Sequence, residues 1–379
     1  MRKSSLLITS EFLNFSAGTP RQINWIGALL KNNYVVSVYD LKFDEIHIIE
    51  NKEQLNLYYE RITRDVSNYA GQRNTKNSKF FRKIKYLFLL DIISFSLLQI
   101  KTLKKKIETK NISLVISSSP SPLTLIFGYF LTTQSQKFII DFRDQWYNHP
   151  LLDFSKHPLR KRIEKIICRK ANYLITVSDF IATQLKYLHG KKVYTLRNTI
   201  VFLENTNKKS RIYEPKGNET NIVSYTGSLP SNIFNHKNTI SNINLLLEID
   251  PSIEFWFVGN NNEFQNLCKE NKQIIFLSHT SKQTVSDFQK KSKYLLLIGA
   301  DFPYNGGILT TKLWEYLSTK QPILAFNVLK GGDLDKVLNQ FCKKSYFKNS
   351  KIPIYTPLTY SPIQAFEEYV ELIKKLEIG

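Results

Sequence analysis

Asn305-Gly306-Gly307-Ile308-Leu309-Thr310-Thr311-Lys312-Leu313-Trp314-Glu315-Tyr316 lies between two apolar, strand-like runs, Tyr294–Ile298 and Pro322–Phe326. Strand, glycine turn, helix and strand make a βαβ unit, and the turn decides its use. Gly306 and Gly307 are expected to take backbone angles closed to other residues. Thr310 or Thr311 is expected to cap the helix through its hydroxyl. A helix N-terminus behind glycines presents free N–H groups and a partial positive charge, which suits a diphosphate. The dipole contributes only about 0.3–1 kcal/mol to one surface charge, so other groups must help. Leu309, Leu313, Tyr316 and Leu317 recur at helical spacing and predict the buried stripe. Lys312 and Glu315, three residues apart, share another face. Lys312 is placed to add a cation to bound phosphates, and Glu315 to accept hydrogen bonds from sugar hydroxyls. The competing reading is a solvated Lys–Glu pair on an ordinary helix.

The segment from Gly307 through Pro322 to Ala325 resembles the donor site of GT-B retaining glycosyltransferases of the family-4 type. That family carries two glutamates separated by seven residues. The second binds the ribose of a nucleotide-sugar and the first lies near the donor sugar. Glu315 matches the second; Gly307 stands where the first would be, so the sugar contact departs from the pattern. The resemblance implies an α/β fold of the GT-B type, two Rossmann-like domains facing each other across a cleft.

Composition fits that outline. A chain of 379 residues suggests two domains of ordinary size, and 42% hydrophobic residues can bury sizeable cores. The formal charge of +21 favours nucleic acid, anionic lipid or phosphorylated substrates as partners. Cys168, Cys268 and Cys342 are far apart, which argues for a reducing compartment and against a zinc site or disulfide framework. The basic start Met1-Arg2-Lys3 runs into Leu6-Leu7-Ile8, too short for a signal peptide and read as a first strand. The best membrane-span candidate, Leu87–Ile100, is interrupted by Asp91 and Gln99 and falls below the ~18 residues required. The basic-aromatic stretch at 80–86 and Lys101, Lys104, Lys105 and Lys106 flank it, a pattern that fits either an anionic membrane interface or a core helix with solvated ends.

In chain order, the strand Leu6–Ser10 precedes Gly18-Thr19 and a helical stretch from Arg21. Gly18 and Thr19 therefore lie near a strand's carboxyl end, where open α/β sheets bind ligands. The resemblance assigns this turn to acceptor binding. The strand Phe138–Asp141 runs into Asp141-Phe142-Arg143-Asp144-Gln145-Trp146, which resembles the sequence after the fifth strand in surface-polysaccharide glycosyltransferases. Asp144 is a candidate to orient or deprotonate an acceptor hydroxyl, and Arg143 to hold phosphate. The alternative is structural, with Asp141 and Arg143 as a salt-bridged strand end and Trp146 packed behind. After a polar stretch with Pro215 and Gly217, the strand Ile222–Thr226 leads into Gly227-Ser228. The resemblance places this turn, and Lys237 beyond it, at the donor diphosphate. Asp333-Leu334-Asp335 has the look of a metal-binding Asp-x-Asp pair. It follows Gly331-Gly332 and opens a predicted helix, where acids are favoured by the dipole, so no metal is expected.

The expected domains are 1–203 (acceptor), a linker 204–220, 221–360 (donor), and a C-terminal helix 361–379. The resemblance implies transfer of a sugar from a nucleotide-sugar to a hydroxyl acceptor in surface polysaccharide or lipid-linked glycan synthesis, with retention, no metal and no cofactor. The implied partners are the nucleotide-sugar and a glycan or lipid-linked acceptor. An anionic membrane surface is a further candidate, and nucleic acid is disfavoured. The implied location is cytoplasmic, at or near the inner face of the membrane. A GT-B nucleotide-sugar epimerase and a non-catalytic basic binding protein with a decayed donor site are the alternatives.

Overall fold

The computed structural model describes residues 2–10, 19–41, 43–69, 100–105, 107, 111–119, 121–147, 157–201, 221–278, 282–301, 307–348 and 350–378. Gly18, Gly306, the expected linker 204–220 and the basic-aromatic stretch at 80–86 lie outside these residues. The chain forms two compact units. The first comprises Met1–Val177, Ile181–Leu196 and Glu367–Gly379; the second comprises Ser178–Phe180 and Arg197–Phe366.

The first unit is built from β1 (Lys3–Thr9), α1 (Thr19–Lys31), β2 (Tyr34–Asp40), β3 (Glu45–Ile49), α2 (Lys52–Tyr69), β4 (Ile112–Ser118), α3 (Pro122–Leu131), β5 (Lys137–Phe142), α4 (Pro158–Lys170), β6 (Tyr173–Thr176), α5 (Asp179–His189), whose first two residues belong to the second unit, and β7 (Val193–Thr195). Its seven strands take the order β3-β2-β1-β4-β5-β6-β7. All neighbours are parallel except β2 and β3. Leu6, Leu7 and Ile8 are all fully buried, because helices cover both faces of a parallel sheet and leave no polar side. The strand order reverses between β1 and β4, the point where such sheets open a crevice at their carboxyl ends.

The first unit closes around one buried ion pair. Asp141, at the end of β5, accepts hydrogen bonds from Arg21 Nε at 3.0 and 2.8 Å and from Arg21 Nη2 at 2.5 Å. Trp25 Nε1 donates to the same carboxylate at 3.0 Å. Arg21 also donates to the Leu196 carbonyl at 2.7 Å and to the Tyr369 hydroxyl at 3.1 Å. Burial alone would lower the Arg21 pKa, but the Asp141 carboxylate and Tyr369 more than offset it and raise the value. The structural alternative for the 141–146 string paired Asp141 with Arg143; the partner is instead Arg21, 120 residues earlier. Trp146 is buried in the adjoining core, as that alternative placed it.

Within this unit the last turns of α11 (Pro362–Ile378) are held at several points. Tyr369 meets Trp25 edge to face at 5.4 Å. Lys31 pairs with Glu367 at 2.5 Å and Lys3 with Glu377 at 3.0 Å. Lys137 donates to the carbonyls of Leu376 and Glu377, where a cation meets the negative end of the helix dipole.

The second unit contains β8 (Ile222–Thr226), α6 (His236–Ile249), β9 (Glu254–Val258), α7 (Asn262–Leu267), β10 (Ile274–Leu277), α8 (Lys282–Lys291), β11 (Tyr294–Ile298), α9 (Thr311–Thr319), β12 (Ile323–Phe326), α10 (Asp333–Phe341), β13 (Cys342–Tyr346) and β14 (Pro353–Pro357). The strand order is β10-β9-β8-β11-β12-β14-β13. β14 runs antiparallel to both β12 and β13. The β13–β14 hairpin has no clear sequence signal, because Cys342-Lys343-Lys344-Ser345-Tyr346 is a largely exposed edge with little apolar alternation. Here the order reverses between β8 and β11, which brings Thr226-Gly227 and Ile298-Gly299 to the crevice position. Among the described residues no helix is long and apolar enough to cross a membrane.

The buried pair makes a direct forecast. Asp141→Asn leaves the Arg21 charge uncompensated and is expected to cost about 3–5 kcal/mol, read as a lower midpoint in thermal and urea melts. Asp144→Asn, at an exposed position, is expected to stay within about 0.5 kcal/mol of the parent.

Candidate functional site

In the second unit the site grows from the end of β8. Gly227 has φ +119° and donates its N–H to the Val258 carbonyl at 2.7 Å, which ties the turn to β9. Gly259, with φ +131°, follows β9; a Cβ there would lie 2.8 Å from the Gly227 carbonyl oxygen. Both glycines are therefore required, for conformation and for the close approach of two backbones. Asn261, buried beside them, donates its amide to the Gly227 carbonyl at 3.0 Å. The turn beyond is pinned at three further points. The Tyr225 hydroxyl donates to the Ser228 carbonyl at 2.9 Å, the His236 ring nitrogen meets the Leu229 carbonyl at 2.8 Å, and the Ser231 hydroxyl donates to Glu263 at 2.6 Å.

The helix predicted from the opening stretch is α9, and its lysine reaches back to this turn. A Cβ on Gly227 would lie 2.5 Å from Lys312 Cε and 2.9 Å from Nζ, so the ammonium crosses directly over bare backbone. Beneath it lies the Tyr225 ring, 4.8 Å from Nζ to centroid. Desolvation lowers the Lys312 pKa to about 8, and Glu315 one turn on opposes part of that shift. One further residue along α9, the Tyr316 hydroxyl accepts from the Thr226 N–H at 3.1 Å and shares a 3.2 Å bond with the Thr226 hydroxyl. Gln289 donates to that hydroxyl at 2.9 Å. This buried polar clamp fixes α9 against the end of β8 and so fixes Lys312 over Gly227.

The structure alters two expectations at the N-terminus of α9. Thr310 occupies the N-cap position in extended conformation, but its hydroxyl makes no cap bond. Gly307 is buried and lacks a positive φ; its reason for being glycine is the Phe180 ring, whose Cδ1 would lie 2.6 Å from a Cβ. Phe180 is held there by its own N–H, which donates to the buried Asp333 carboxylate at 2.8 Å. Asp333 therefore serves as an internal acceptor at the start of α10, and Asp335 accepts from the Gly331 N–H at 2.8 Å.

Gly227 and Lys312 are thus brought together, with Glu315 one turn further along α9 and Thr310 and Thr311 at the head of the same helix. Ser228 is exposed at the turn, and Lys237 is exposed on the first turn of α6. In the first unit, Asp144 is exposed and Arg143 half-buried, beyond the end of β5. The Ser119 hydroxyl organises this turn, accepting from the Arg143 N–H at 3.1 Å and donating to the Asp144 carbonyl at 3.1 Å. Thr19 is fully buried as the first residue of α1, a placement that suits the helix start rather than an acceptor contact. Sequence reasoning missed Tyr225, Asn261 and Phe180, and placed Tyr316 in the buried stripe without its bonds to Thr226. Tyr225 and Asn261 have only an aromatic or amide beside a glycine turn as their signal, and Phe180 has none.

The chain resembles known structures in fold. It aligns with the UDP-GlcNAc 2-epimerase of Methanocaldococcus jannaschii over 100% of both chains, at 13% identity and TM-score 0.51. It aligns with Anabaena HepE in complex with UDP and glucose over 85% of this chain and 80% of that one, at 12% identity and TM-score 0.50. The apo lipopolysaccharide outer core galactosyltransferase WaaB is a further neighbour, at 14% identity, 85% and 80% coverage and TM-score 0.47. The fold is GT-B glycosyltransferase-like, α/β with two seven-stranded sheets. No protein-family model and no curated protein sequence matches the chain.

Two substitutions test the local geometry. Gly227→Ala places a methyl where Lys312 lies and strains a positive φ, so a loss of about 1–3 kcal/mol in a thermal melt is expected. Gly307→Glu, which restores the acid of the resembled motif, should cost about 1–3 kcal/mol through overpacking against Phe180. Adding Phe180→Ala should recover part of that loss, seen as a coupling energy in a double-mutant cycle.

Proposed function

We propose that this protein is an enzyme that binds a nucleotide-sugar in its second unit and transfers the sugar to a hydroxyl acceptor. The observation that carries the reading is the Lys312 ammonium held across the Gly227 backbone at the carboxyl end of β8. A desolvated cation over bare glycine backbone, beside a helix N-terminus without a side-chain cap, is a cradle for a diphosphate. In the reaction negative charge grows on the leaving diphosphate. Donors fixed in advance lower that barrier without reorganising. Lys312, the Ser228 amide and the first-turn amides of α9, with Gly227 bare beneath the lysine and Gly306, Gly307, Thr310 and Thr311 leading into the helix, supply those donors. Lys237 adds a solvent-side cation. Glu315 accepts from the ribose hydroxyls.

In this reading Asp144 and Arg143 act on the acceptor side, with retention of configuration and without a metal. The acceptor is a growing polysaccharide or a lipid-linked glycan, and the protein works in the cytoplasm. UDP is the first nucleotide to test, because HepE is described with UDP and glucose bound and the archaeal neighbour is named for a UDP-sugar. Epimerisation is the second reading, favoured by full-length alignment with the archaeal epimerase. The two differ in one requirement, since an epimerase converts its nucleotide-sugar with no acceptor present.

Thermal stabilisation by a panel of nucleoside diphosphates and nucleotide-sugars is the direct test. A ligand at 100 times its dissociation constant should add about 2.7 kcal/mol to folded-state stability. Glu315→Ala should abolish most of that gain, and an unchanged gain would remove Glu315 from the ribose role. Nucleoside diphosphate release that depends on added acceptor supports transfer; turnover without acceptor supports epimerisation.

The depressed Lys312 pKa gives a pH signature. Its folded value, about 8, lies below the ordinary lysine value of 10.5. Folding therefore releases the proton between these values, and Lys312 contributes rising stability as pH increases through that window. Diphosphate binding needs the protonated form, so affinity should hold below pH 7.5 and fall roughly tenfold by pH 9. Titration calorimetry at both pH values should show proton uptake on binding, absent in Lys312→Met.

A further inference from the structure

We infer that the outer face of α4, together with the end of α3 and residues 101–105, is a docking surface for an anionic phospholipid bilayer. This face belongs to the first unit and the proposed nucleotide site to the second. α4 reads Pro158-Leu159-Arg160-Lys161-Arg162-Ile163-Glu164-Lys165-Ile166-Ile167-Cys168-Arg169-Lys170. Arg160, Glu164, Ile167 and Cys168 are buried against the core. At 100° per residue the remaining positions divide the outer face. Arg162, Lys165 and Arg169 run down its middle and Lys161 lies on one flank. Leu159, Ile166 and Lys170 form the other flank.

The charge on this face is of one sign. Glu164 is the only acid of α4, and it is occupied internally. It accepts from the Tyr147 N–H at 2.7 Å and meets the His189 ring nitrogen at 2.9 Å. Lys170 reaches the carbonyls of Tyr129 and Thr132 at the end of α3 and lies over the Tyr129 ring at 4.8 Å. Desolvation, and then the neighbouring charge of Lys104, lowers the Lys170 pKa. Lys101, Lys104 and Lys105 are all exposed, so the cations continue from α4 onto the preceding helical segment. Among the described residues none of Lys161, Arg162, Lys165 and Arg169 forms an ion pair.

Apolar side chains are set among these cations rather than beneath them. Leu159 is 46% exposed, Ile166 43% and Phe130 43%. Leu159 and Ile166 are two turns apart on the flank whose Lys170 touches α3, and Phe130 ends α3 beside Tyr129, with ring centroids 5.2 Å apart. Nucleic acid would satisfy the cations but offers nothing to two aliphatic side chains. An anionic bilayer satisfies both, with headgroups for the lysines and arginines and the acyl boundary for Leu159, Ile166 and Phe130.

The test is flotation of the full-length protein with vesicles at 0.15 M salt. Binding is expected to vesicles of phosphatidylglycerol and phosphatidylcholine mixed, and not to phosphatidylcholine alone. Lys161→Gln/Arg162→Gln/Lys165→Gln should lower the partition coefficient on the order of 100-fold. Leu159→Ser/Ile166→Ser should lower it as well, on the order of tenfold. All five side chains are exposed, so unchanged melting temperatures will show that the variants are folded. Equal binding by the parent and both variants would overturn the assignment, as would equal binding to neutral and anionic vesicles. Tight RNA binding that is steep in salt, lost with the charges but indifferent to Leu159→Ser/Ile166→Ser, would overturn it in favour of nucleic acid. Nucleotide-induced stabilisation, measured on the same variants, reports on the donor site separately.

Discussion

The first unit depends on a charge pair sealed from water. Arg21 and Asp141 are almost fully buried, and neither could remain so without the other. Their geometry explains why the pair is tolerated. The carboxylate receives donors from Arg21 and Trp25, and the guanidinium spends its remaining N–H groups on Leu196 and Tyr369. One interaction thus joins α1, the end of β5, the segment after β7 and the last helix. The Asp141 side chain turns inward, while the chain after it turns out to present Arg143 and Asp144. A structural carboxylate and a candidate functional one sit three residues apart, separated by what each can reach.

The second unit is organised around a close approach rather than a buried charge pair. Gly227 and Gly259 lack side chains, so two strand ends and one lysine meet within a few ångströms. Hydrogen bonds of Tyr225, Asn261, His236 and Tyr316 hold this arrangement. Preorganisation of that kind has electrostatic value, because charge that develops beside fixed donors meets little reorganisation. The same burial lowers the Lys312 pKa to about 8.

The two charged features of the molecule are built differently. Lys312 is one desolvated cation, held by aromatic and backbone contacts, and the proposed function gives it a compact anion. The cations of α4 are many, mostly exposed and interleaved with aliphatic side chains, an arrangement suited to an extended, partly apolar surface. A formal charge of +21 does not distinguish these cases; placement does.

The sequence alone determined what is local and periodic. Glycine turns after apolar runs, the stripe Leu309-Leu313-Tyr316-Leu317 and the helix start at Asp333 follow from backbone freedom, helical spacing and the dipole. Those signals were enough for two Rossmann-like series and for Lys312 and Glu315 on one helix. The tertiary structure decided what depends on distant partners. Asp141 could be paired only once Arg21 was brought beside it, and Gly307 could be explained only by Phe180, more than a hundred residues earlier. Thr310, well suited to cap a helix, stands at the N-cap position without doing so, because residue type fixes what a side chain can bond and not where its rotamer points. Whether a lysine is a surface charge or a desolvated one is likewise unwritten in its spacing. Burial is set by packing between elements far apart in the chain, and that packing gave Lys312 its neighbours.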